Sequence, residues 1–231
     1  MHTERKVIRK KPNELFMFDT FFKKRTGIEL EDLPEEHKAH VLEAQKMIKD
    51  KAEIVIIYKC ENVDMLTEDA VILESGAKYT GEMAAQIFKD AKQIVTCLVV
   101  LQGFEAIKAE NDNSEVARFL DAWGSTYVES AQAWLGNYLH CELESAGKKR
   151  THLWSPGQQK LDLCNQQTVF EILHPEEEGY SLTEDYVVTL EKAKSGIWGV
   201  LDKDATEQLL PCDFCELESK CPLVNMGCAE T

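Results

Sequence analysis

The feature of this sequence that most directly indicates chemistry is the cysteine spacing near its end. Four of the eight cysteines lie within residues 212–228, as Cys212, Cys215, Cys221 and Cys228 in the pattern C-x2-C-x5-C-x6-C. A C-x2-C pair can hold one metal ion in a tight turn, and two further thiolates complete a set of four ligands. We therefore predict a metal centre with these four cysteines as its ligands.

The spacing leaves three interpretations open, namely a [4Fe–4S] cluster, a structural zinc ion, and free thiols or a disulfide. Zinc sites usually combine two short spacings, whereas the last spacing here is six residues. Pro222 directly follows Cys221, as in many cluster-ligand sequences, and this favours the iron–sulfur cluster. The other cysteines are dispersed along the chain and are expected to pack as small hydrophobic residues; they are Cys60, Cys97, Cys141 and Cys164.

The composition describes an acidic globular protein. Of the 231 residues, 44% are hydrophobic and 29% are charged, which argues against wholesale disorder. A net charge of −15 repels nucleic-acid phosphates and anionic lipid headgroups, so neither nucleic acid nor a membrane is an expected partner. No signal-peptide pattern opens the sequence, and the longest apolar run is too short to span a bilayer. We therefore expect a cytoplasmic protein with reduced or metal-bound thiols.

Hydrophobic spacing predicts a chain of mixed helices and strands. Helices are expected at residues 13–25, 34–52, 80–90 and 166–173, with the longest beginning after Asn113 or Ser114. Strands are expected at residues 54–58, 70–73, 94–101, 186–190 and 197–201, and the continuous apolar run at 94–101 should be buried on both faces. Residues 1–11 are basic and are expected to form a solvated arm, or a docking arm for an acidic partner.

Three segments, in this order, resemble the activation domain of vitamin B12-dependent methionine synthase. They are residues 121–129 (DAWGSTYVE), residues 155–157 (SPG), and residues 179–184 (GYSLTE) running on to Ser195 and Gly196. The chain is closer to the short stand-alone versions of that domain, which are found beside corrinoid methyltransferases in anaerobic prokaryotes, and some of which also end in a cysteine cluster. The resemblance covers about residues 70–228.

The resemblance implies an α+β fold, a helix-flanked twisted antiparallel sheet, here with a C-terminal metal-binding tail. We expect three parts: an N-terminal helical segment (1–69) that the resemblance covers poorly, an activation-domain-like core (70–205) and a cysteine-rich tail (206–231). The family domain binds S-adenosylmethionine and docks over a corrinoid whose cobalt has become inactive Co(II), where an electron and the methyl group restore the active form. The implied partners are a corrinoid-binding protein or methyltransferase, and a reductant such as ferredoxin or flavodoxin. Whether the chain is an enzyme without its partner is open.

The resemblance also implies a ligand-binding loop. The family pattern is Arg-x-(Ser/Ala)-Pro-Gly-Tyr, and the matching residues here are Ser155, Pro156 and Gly157. Leu153 and Gln158 stand at the Arg and Tyr positions, so a natural partner for the ligand's carboxylate is missing. Arg150 or Lys149 could take that role from nearby.

Three carboxylates and one tryptophan complete the implied site. Asp121, Glu129 and Glu184 match family positions and could pair with the sulfonium or amino group of the ligand; solvated surface positions are the alternative. Trp154 could stack on an adenine or cover a corrin edge, with packing as the alternative.

A cysteine-bound cluster would add an electron path to this site. Iron–sulfur clusters reach potentials of roughly −700 mV, low enough to reduce Co(II). The first hypothesis is therefore a reactivation factor that binds S-adenosylmethionine and carries a cluster. The alternative is an iron–sulfur electron-transfer or corrinoid-docking protein that does not bind S-adenosylmethionine, and a structural zinc module is the third.

Overall fold

The computed structural model describes residues 4–16, 18–112, 114–158, 160–205 and 209–215. The helices are α1 (Phe18–Thr26), α2 (Glu35–Lys51), α3 (Glu82–Ile87), α4 (Phe104–Asn111), α5 (Ala117–Ser145) and α6 (Asn165–Leu173). The strands are β1 (Lys6–Lys10), β2 (Glu53–Leu66), β3 (Ala70–Leu73), β4 (Lys78–Thr80), β5 (Gln93–Gln102), β6 (Lys148–Arg150) and β7 (Ala193–Asp202). Within the described part of the chain, no helix is long and apolar enough to cross a membrane.

The strands form one antiparallel sheet in the order β4-β3-β2-β5-β7-β6. Its centre is the long pairing of β2 with β5, which runs from Glu53 opposite Gln102 to Asn62 opposite Gln93. β1 pairs with the first half of β2, and β3 pairs with the second half. This arrangement confirms the predicted α+β class with a helix-flanked antiparallel sheet.

Helices cover both faces of this sheet. Consecutive residues of β2 alternate between two separate hydrophobic clusters, with Ile56 in one and Ile57 in the other. The cluster on one face includes residues of α1, α2, α4 and α5, and the cluster on the other includes residues of α3 and α6. β5 is buried along nearly its whole length, as its continuous apolar run predicted.

The prediction of a solvated basic arm is wrong for the described residues of the N-terminus, because residues 6–10 form β1. The strand is stabilised by pairing with β2 and by its arginines. The Arg5 Nε donates to the Leu173 carbonyl at 2.5 Å, and the Arg9 Nη2 lies 2.5 Å from Glu178 Oε2. The segment 1–69 therefore contributes strands β1 and β2 as well as the two helices expected there.

The strand predicted at residues 186–190 is also wrong. Here the chain turns, since the Val187 amide donates to Thr183 Oγ1 at 3.1 Å and the Thr183 amide donates to the Val187 carbonyl at 2.8 Å. Tyr186 adopts a left-handed backbone conformation with φ +62°. The Thr183 side chain closes a local turn and outcompetes the β propensity of the residues after it.

The long helix α5 has an apolar face, on which Trp123, Tyr127 and Ala131 are fully buried. Its interior Gly124 makes room for side chains rather than for a ligand or another backbone. A Cβ at position 124 would lie 2.7 Å from Phe104 Cε2 and 3.0 Å from Lys192 Cε. The glycine therefore lets α4 and the start of β7 approach this helix.

Candidate functional site

The chain after β6 runs as an extra edge segment beside β7 and carries the predicted loop. The Trp154 amide donates to the Ile197 carbonyl at 3.0 Å, and the Ile197 amide donates back to the Trp154 carbonyl at 2.8 Å. This pairing brings Ser155 next to Ser195, where the Ser155 hydroxyl donates to the Ser195 carbonyl at 3.0 Å. The loop is thus fixed to the edge of the sheet.

Ser195 connects four elements at this position. Its carbonyl also accepts a hydrogen bond from Gln132 Nε2 of α5 at 3.2 Å, and its hydroxyl donates to Gln166 Oε1 of α6 at 2.7 Å. All four side chains of this group are buried. A buried polar network with satisfied partners holds its members in one geometry, so the start of β7 is a rigid base for the loop.

The residues after Ser155 form a tight turn. The Gln158 amide donates to the Ser155 carbonyl at 3.0 Å, and the Gly157 amide donates to the Leu161 carbonyl at 2.8 Å. Gly157 has φ +81°, a conformation that side chains with a Cβ rarely adopt. Pro156 is buried, whereas Gly157 and Gln158 are exposed, so the turn presents its second half to solvent.

Leu153, at the family Arg position, packs inward. If position 196 carried a Cβ, the Cδ1 of Leu153 would lie 2.4 Å from it, which shows how closely this leucine covers Gly196. Lys149 Nζ is 2.7 Å from the Ala205 carbonyl, and the guanidinium of Arg150 is buried 5.9 Å from the Trp198 ring centroid. Burial lowers the pKa of Arg150 to about 10. The contacts of Lys149 and Arg150 therefore do not support either residue as a replacement for the arginine that the family has at position 153.

The three predicted carboxylates lie at separate places. Asp121 Oδ1 is 2.6 Å from Lys192 Nζ, in a pair whose lysine side chain is 8% exposed and whose carboxylate is 62% exposed. Glu129 is ion-paired with Arg25 of α1. Eight residues, or about 12 Å of helix, separate Asp121 from Glu129. Glu184 is exposed in the turn that follows Leu182, with no ion pair to the other described residues.

Trp154 joins the loop to the first half of the cysteine motif. Its side chain is fully buried, which fits the packing alternative, and its contact with a ligand stays a prediction. Its ring centroid lies 6.0 Å from that of Phe214. The Trp154 Nε1 has no hydrogen-bond partner among the described residues. A buried donor of this kind needs an acceptor, and water or a ligand at the loop could supply one.

Cys212 lies in a short 3-10 helix, Pro211–Phe214, and Cys215 is the C-cap of that helix. The Cys215 amide donates to the Cys212 carbonyl at 3.1 Å, and both residues are partly exposed free thiols. This hydrogen bond closes a turn that keeps the two cysteines close to each other. This arrangement fits half of a four-thiolate site.

The other half of that site, Cys221 and Cys228, lies outside the described residues. Within the described ranges, no group of three or more histidine, cysteine or acidic side chains could hold a metal ion. The metal assignment of all four cysteines therefore stays a prediction.

Sequence analysis missed Gln132 and Gln166, which fix Ser195. A signal for Gln132 was present, since polar Ser125 and Gln132 follow Asp121 at spacings that place all three on one face of α5. Gln166 carried no comparable signal, because its role depends on the docking of α6 against β7.

Comparison with known proteins identifies the fold. No protein-family model matches the chain, and a search of curated proteins finds no relative. Among solved structures, the chain is similar to the "Crystal Structure of the MetH Reactivation Domain bound to AdoHcy", with 11% sequence identity and a TM-score of 0.58. The similarity covers 89% of this chain and 81% of that chain. The chain thus has the fold of the methionine synthase reactivation domain.

Proposed function

We propose that this chain binds S-adenosylmethionine and serves as a reactivation factor for a corrinoid methyltransferase system. The observation that carries the proposal is the shared fold with a reactivation domain solved with AdoHcy. AdoHcy is S-adenosylmethionine without its transferable methyl group. The second support is local, because the matching Ser-Pro-Gly turn is held against β7 through Ser155 and Ser195.

The protein's own contribution is to bind and orient. The turn at residues 155–158 is fixed at one end by the Ser195 network and exposed at the other, so it can hold a ligand at the sheet edge in one geometry. Glu184, an exposed carboxylate, is the candidate partner for the ligand's positive charge. The bound ligand supplies an electrophilic methyl group. Such a site accelerates methyl transfer by proximity and orientation, with the corrinoid presented by a partner.

We further propose that Cys212, Cys215, Cys221 and Cys228 hold a [4Fe–4S] cluster, with zinc as the alternative. The described half of this set lies beside the loop, because Phe214 of the cysteine turn contacts the ring of Trp154. A cluster there would supply the low-potential electron next to the docked corrinoid. A ferredoxin or flavodoxin is the proposed source of that electron.

The second candidate is an electron-transfer or corrinoid-docking protein that does not bind S-adenosylmethionine. It is favoured by Leu153, which packs against Gly196 where the family has an arginine. A site without that guanidinium lacks the bidentate partner that a ligand carboxylate prefers.

Calorimetric titration of S-adenosylmethionine into anaerobically purified protein, with its iron and sulfide counted, separates these candidates. The proposal predicts saturable micromolar binding. Gly157→Ala is expected to weaken binding by roughly tenfold, because alanine is strained at positive φ by about 1–2 kcal/mol and shifts the turn. Gly76→Ala is the matched control, since Gly76 lies in the turn between β3 and β4, has φ +88° against +81° for Gly157, and nothing lies within 4 Å of its added Cβ.

Three results would contradict parts of the proposal. A flat titration with an intact cluster supports the second candidate. Stoichiometric zinc without iron would make the tail a structural zinc module. Equal loss of binding in Gly157→Ala and Gly76→Ala would place the ligand away from the loop.

A further inference from the structure

The edge strand β1 is paired on one side only within the described part of the chain. It joins β2 from Lys6 opposite Tyr58 to Lys10 opposite Ile54, and its backbone has no other partner among the described residues. All five residues of β1 are at least partly exposed, whereas their five partners in β2 are buried. Every second residue of such a strand directs its N–H and C=O away from the sheet. β1 therefore presents a free backbone edge.

Two lysines with little counter-charge lie on the face of β1 that packs against α5. The Lys6 ammonium is 5.7 Å from the centroid of the Tyr58 ring, and the Lys10 ammonium is 4.5 Å from that of Trp134. A ring face attracts an ammonium group but carries no net charge, so the positive charge is not neutralised. Within the described ranges, Lys6 forms no ion pair, and Lys10 has one exposed pair with Glu14, at 3.9 Å. A pair of that kind contributes little.

The arginines of the same segment are already paired. Arg9 Nη1 lies 2.9 Å from Glu53 Oε2, and its Nη2 lies 2.5 Å from Glu178 Oε2. Arg5, directly before the strand, lies 3.3 Å from Glu177 Oε2. Side chains alternate along a strand, so these arginines are on the face opposite the two lysines. The uncompensated charge of β1 is thus on its lysine face, at two positions four residues apart.

We propose that β1 is the docking site for an extended acidic segment of a partner protein, which adds to the sheet edge as a further strand. Two acidic residues four positions apart in that segment stand opposite Lys6 and Lys10, and an apolar residue midway between them stands opposite Ile8. Main-chain hydrogen bonds to the free edge supply the part of the binding that is independent of sequence. The site lies on the edge of the sheet opposite β6 and the loop at residues 155–158, and it does not require S-adenosylmethionine.

Charge selects such a segment over a second copy of this chain. Antiparallel pairing of two β1 strands about Ile8 would place Lys6 of each copy opposite Lys10 of the other, and like charges directly opposite destabilise a sheet. Edge lysines prevent self-association in this way. A carboxylate at the same position is favoured by about 1.4-fold to fivefold in affinity. The net charge of −15 repels a larger acidic surface, so the attraction acts within about 10 Å and suits a short segment.

The probe is a synthetic peptide, acetyl-TETVTET-amide, titrated into the isotopically labelled full chain and followed by nuclear magnetic resonance. Its two glutamates and the valine between them share one strand face, and the sequence reads the same in both directions, so it fits parallel or antiparallel pairing. Saturable shifts are expected at the amides of β1 and of the paired half of β2. The peptide TTEEVTT has the same composition but places its glutamates on opposite faces, and it should bind roughly threefold more weakly.

Two changes test the role of the lysines. Lys6→Gln with Lys10→Gln should weaken binding of TETVTET roughly fivefold, because two opposite-charge pairs are lost. Lys46→Gln with Lys89→Gln is the matched control, since it removes the same charge from exposed positions outside β1 and should leave the affinity unchanged. Circular dichroism checks the fold of both variants. The peptide TQTVTQT makes the corresponding change on the partner's side and should show the same fivefold loss with wild-type protein.

Four results would overturn the proposal. Shifts confined to elements other than β1 and β2, or no shifts at all, would show that β1 does not take up an acidic strand. Equal affinity for TETVTET and TTEEVTT would show that strand pairing does not set the binding. Equal affinity of the two double variants would remove the role of the lysines. Self-association without peptide, with protection of the β1 amides, would identify a second copy as the occupant. None of these results depends on whether S-adenosylmethionine binds.

Discussion

An alanine at position 196 would place its Cβ 2.4 Å from Leu153 Cδ1, 3.2 Å from Cys97 Sγ and 3.2 Å from Gln132 Nε2. The leucine end can move, but the thiol is buried in the core and the amide is held by its bond to the Ser195 carbonyl. We therefore expect Gly196→Ala to destabilise the fold and to displace the loop segment that carries Leu153.

The size of the effect follows from two opposing terms. Overpacking a core position costs about 1–3 kcal/mol, and replacing a strand glycine by alanine returns about 0.5–1 kcal/mol of backbone entropy. The two ranges give a net loss in the free energy of unfolding of about 0–2.5 kcal/mol, and the close approach to three side chains favours the upper half of it. For a chain of this length, each kcal/mol lowers Tm by about 2–4 °C.

Urea denaturation followed by circular dichroism measures this loss, and a double-mutant cycle identifies its source. Leu153→Ala removes the nearest clash, so the double variant should lose less than the sum of the two single variants by about 1 kcal/mol. Strictly additive losses would show that Leu153 does not cover Gly196. An unchanged stability of Gly196→Ala would refute the packing described at the start of β7.

Three further variants test other parts of the fold. Gly124→Ala should lower the free energy of unfolding by about 1 kcal/mol, measured by urea denaturation, because the added Cβ would lie 2.7 Å from Phe104 Cε2. This loss is expected although alanine has the better helix propensity, and a stabilised variant would contradict it. Arg5→Ala should lower the free energy of unfolding by about 1 kcal/mol, measured by thermal denaturation, and should speed amide exchange in β1, because the Arg5 Nε donates to the Leu173 carbonyl at 2.5 Å. Unchanged exchange in β1 would contradict this prediction. Burial raises the pKa of Cys60 from 9.0 to about 11, so its neutral thiol stabilises the fold fully below pH 9 and this contribution is lost as pH rises to 11. Urea titrations should show a decline between pH 9 and 11 that is about 1 kcal/mol per pH unit shallower in Cys60→Ala, because burial also raises the pKa of Cys97 and that contribution declines in both proteins.

Local patterns predicted the elements whose burial is set by their own residues. The continuous apolar run that became β5 needed both faces covered, and the helical spacing of Val41, Ala44 and Ile48 defined α2. The strand β1 could not be predicted this way, because its cationic sequence becomes a strand only by pairing with β2. The turn at Thr183 was missed because one side-chain hydrogen bond overrides the β propensity that follows it.

The candidate site was predictable only in part for a similar reason. The turn at Gly157 follows from Pro and Gly chemistry, and the structure places it where the motif indicated. Only Gln132 of the Ser195 network carried a sequence signal, because Gln132 and Gln166 are 34 residues apart in sequence and both reach Ser195 only after α5 and α6 pack on β7. The inward packing of Leu153 likewise depends on the space that Gly196 leaves.

The most direct test of the central claim is hydrogen exchange with and without saturating S-adenosylmethionine, resolved to short peptides. The site described here predicts slower exchange at residues 153–158 and at residues 193–197, with β1 unchanged as an internal reference. Ligand-induced protection confined to other elements, or no protection at any described segment, would contradict the claim that the sheet edge at Ser155 and Ser195 is the binding site.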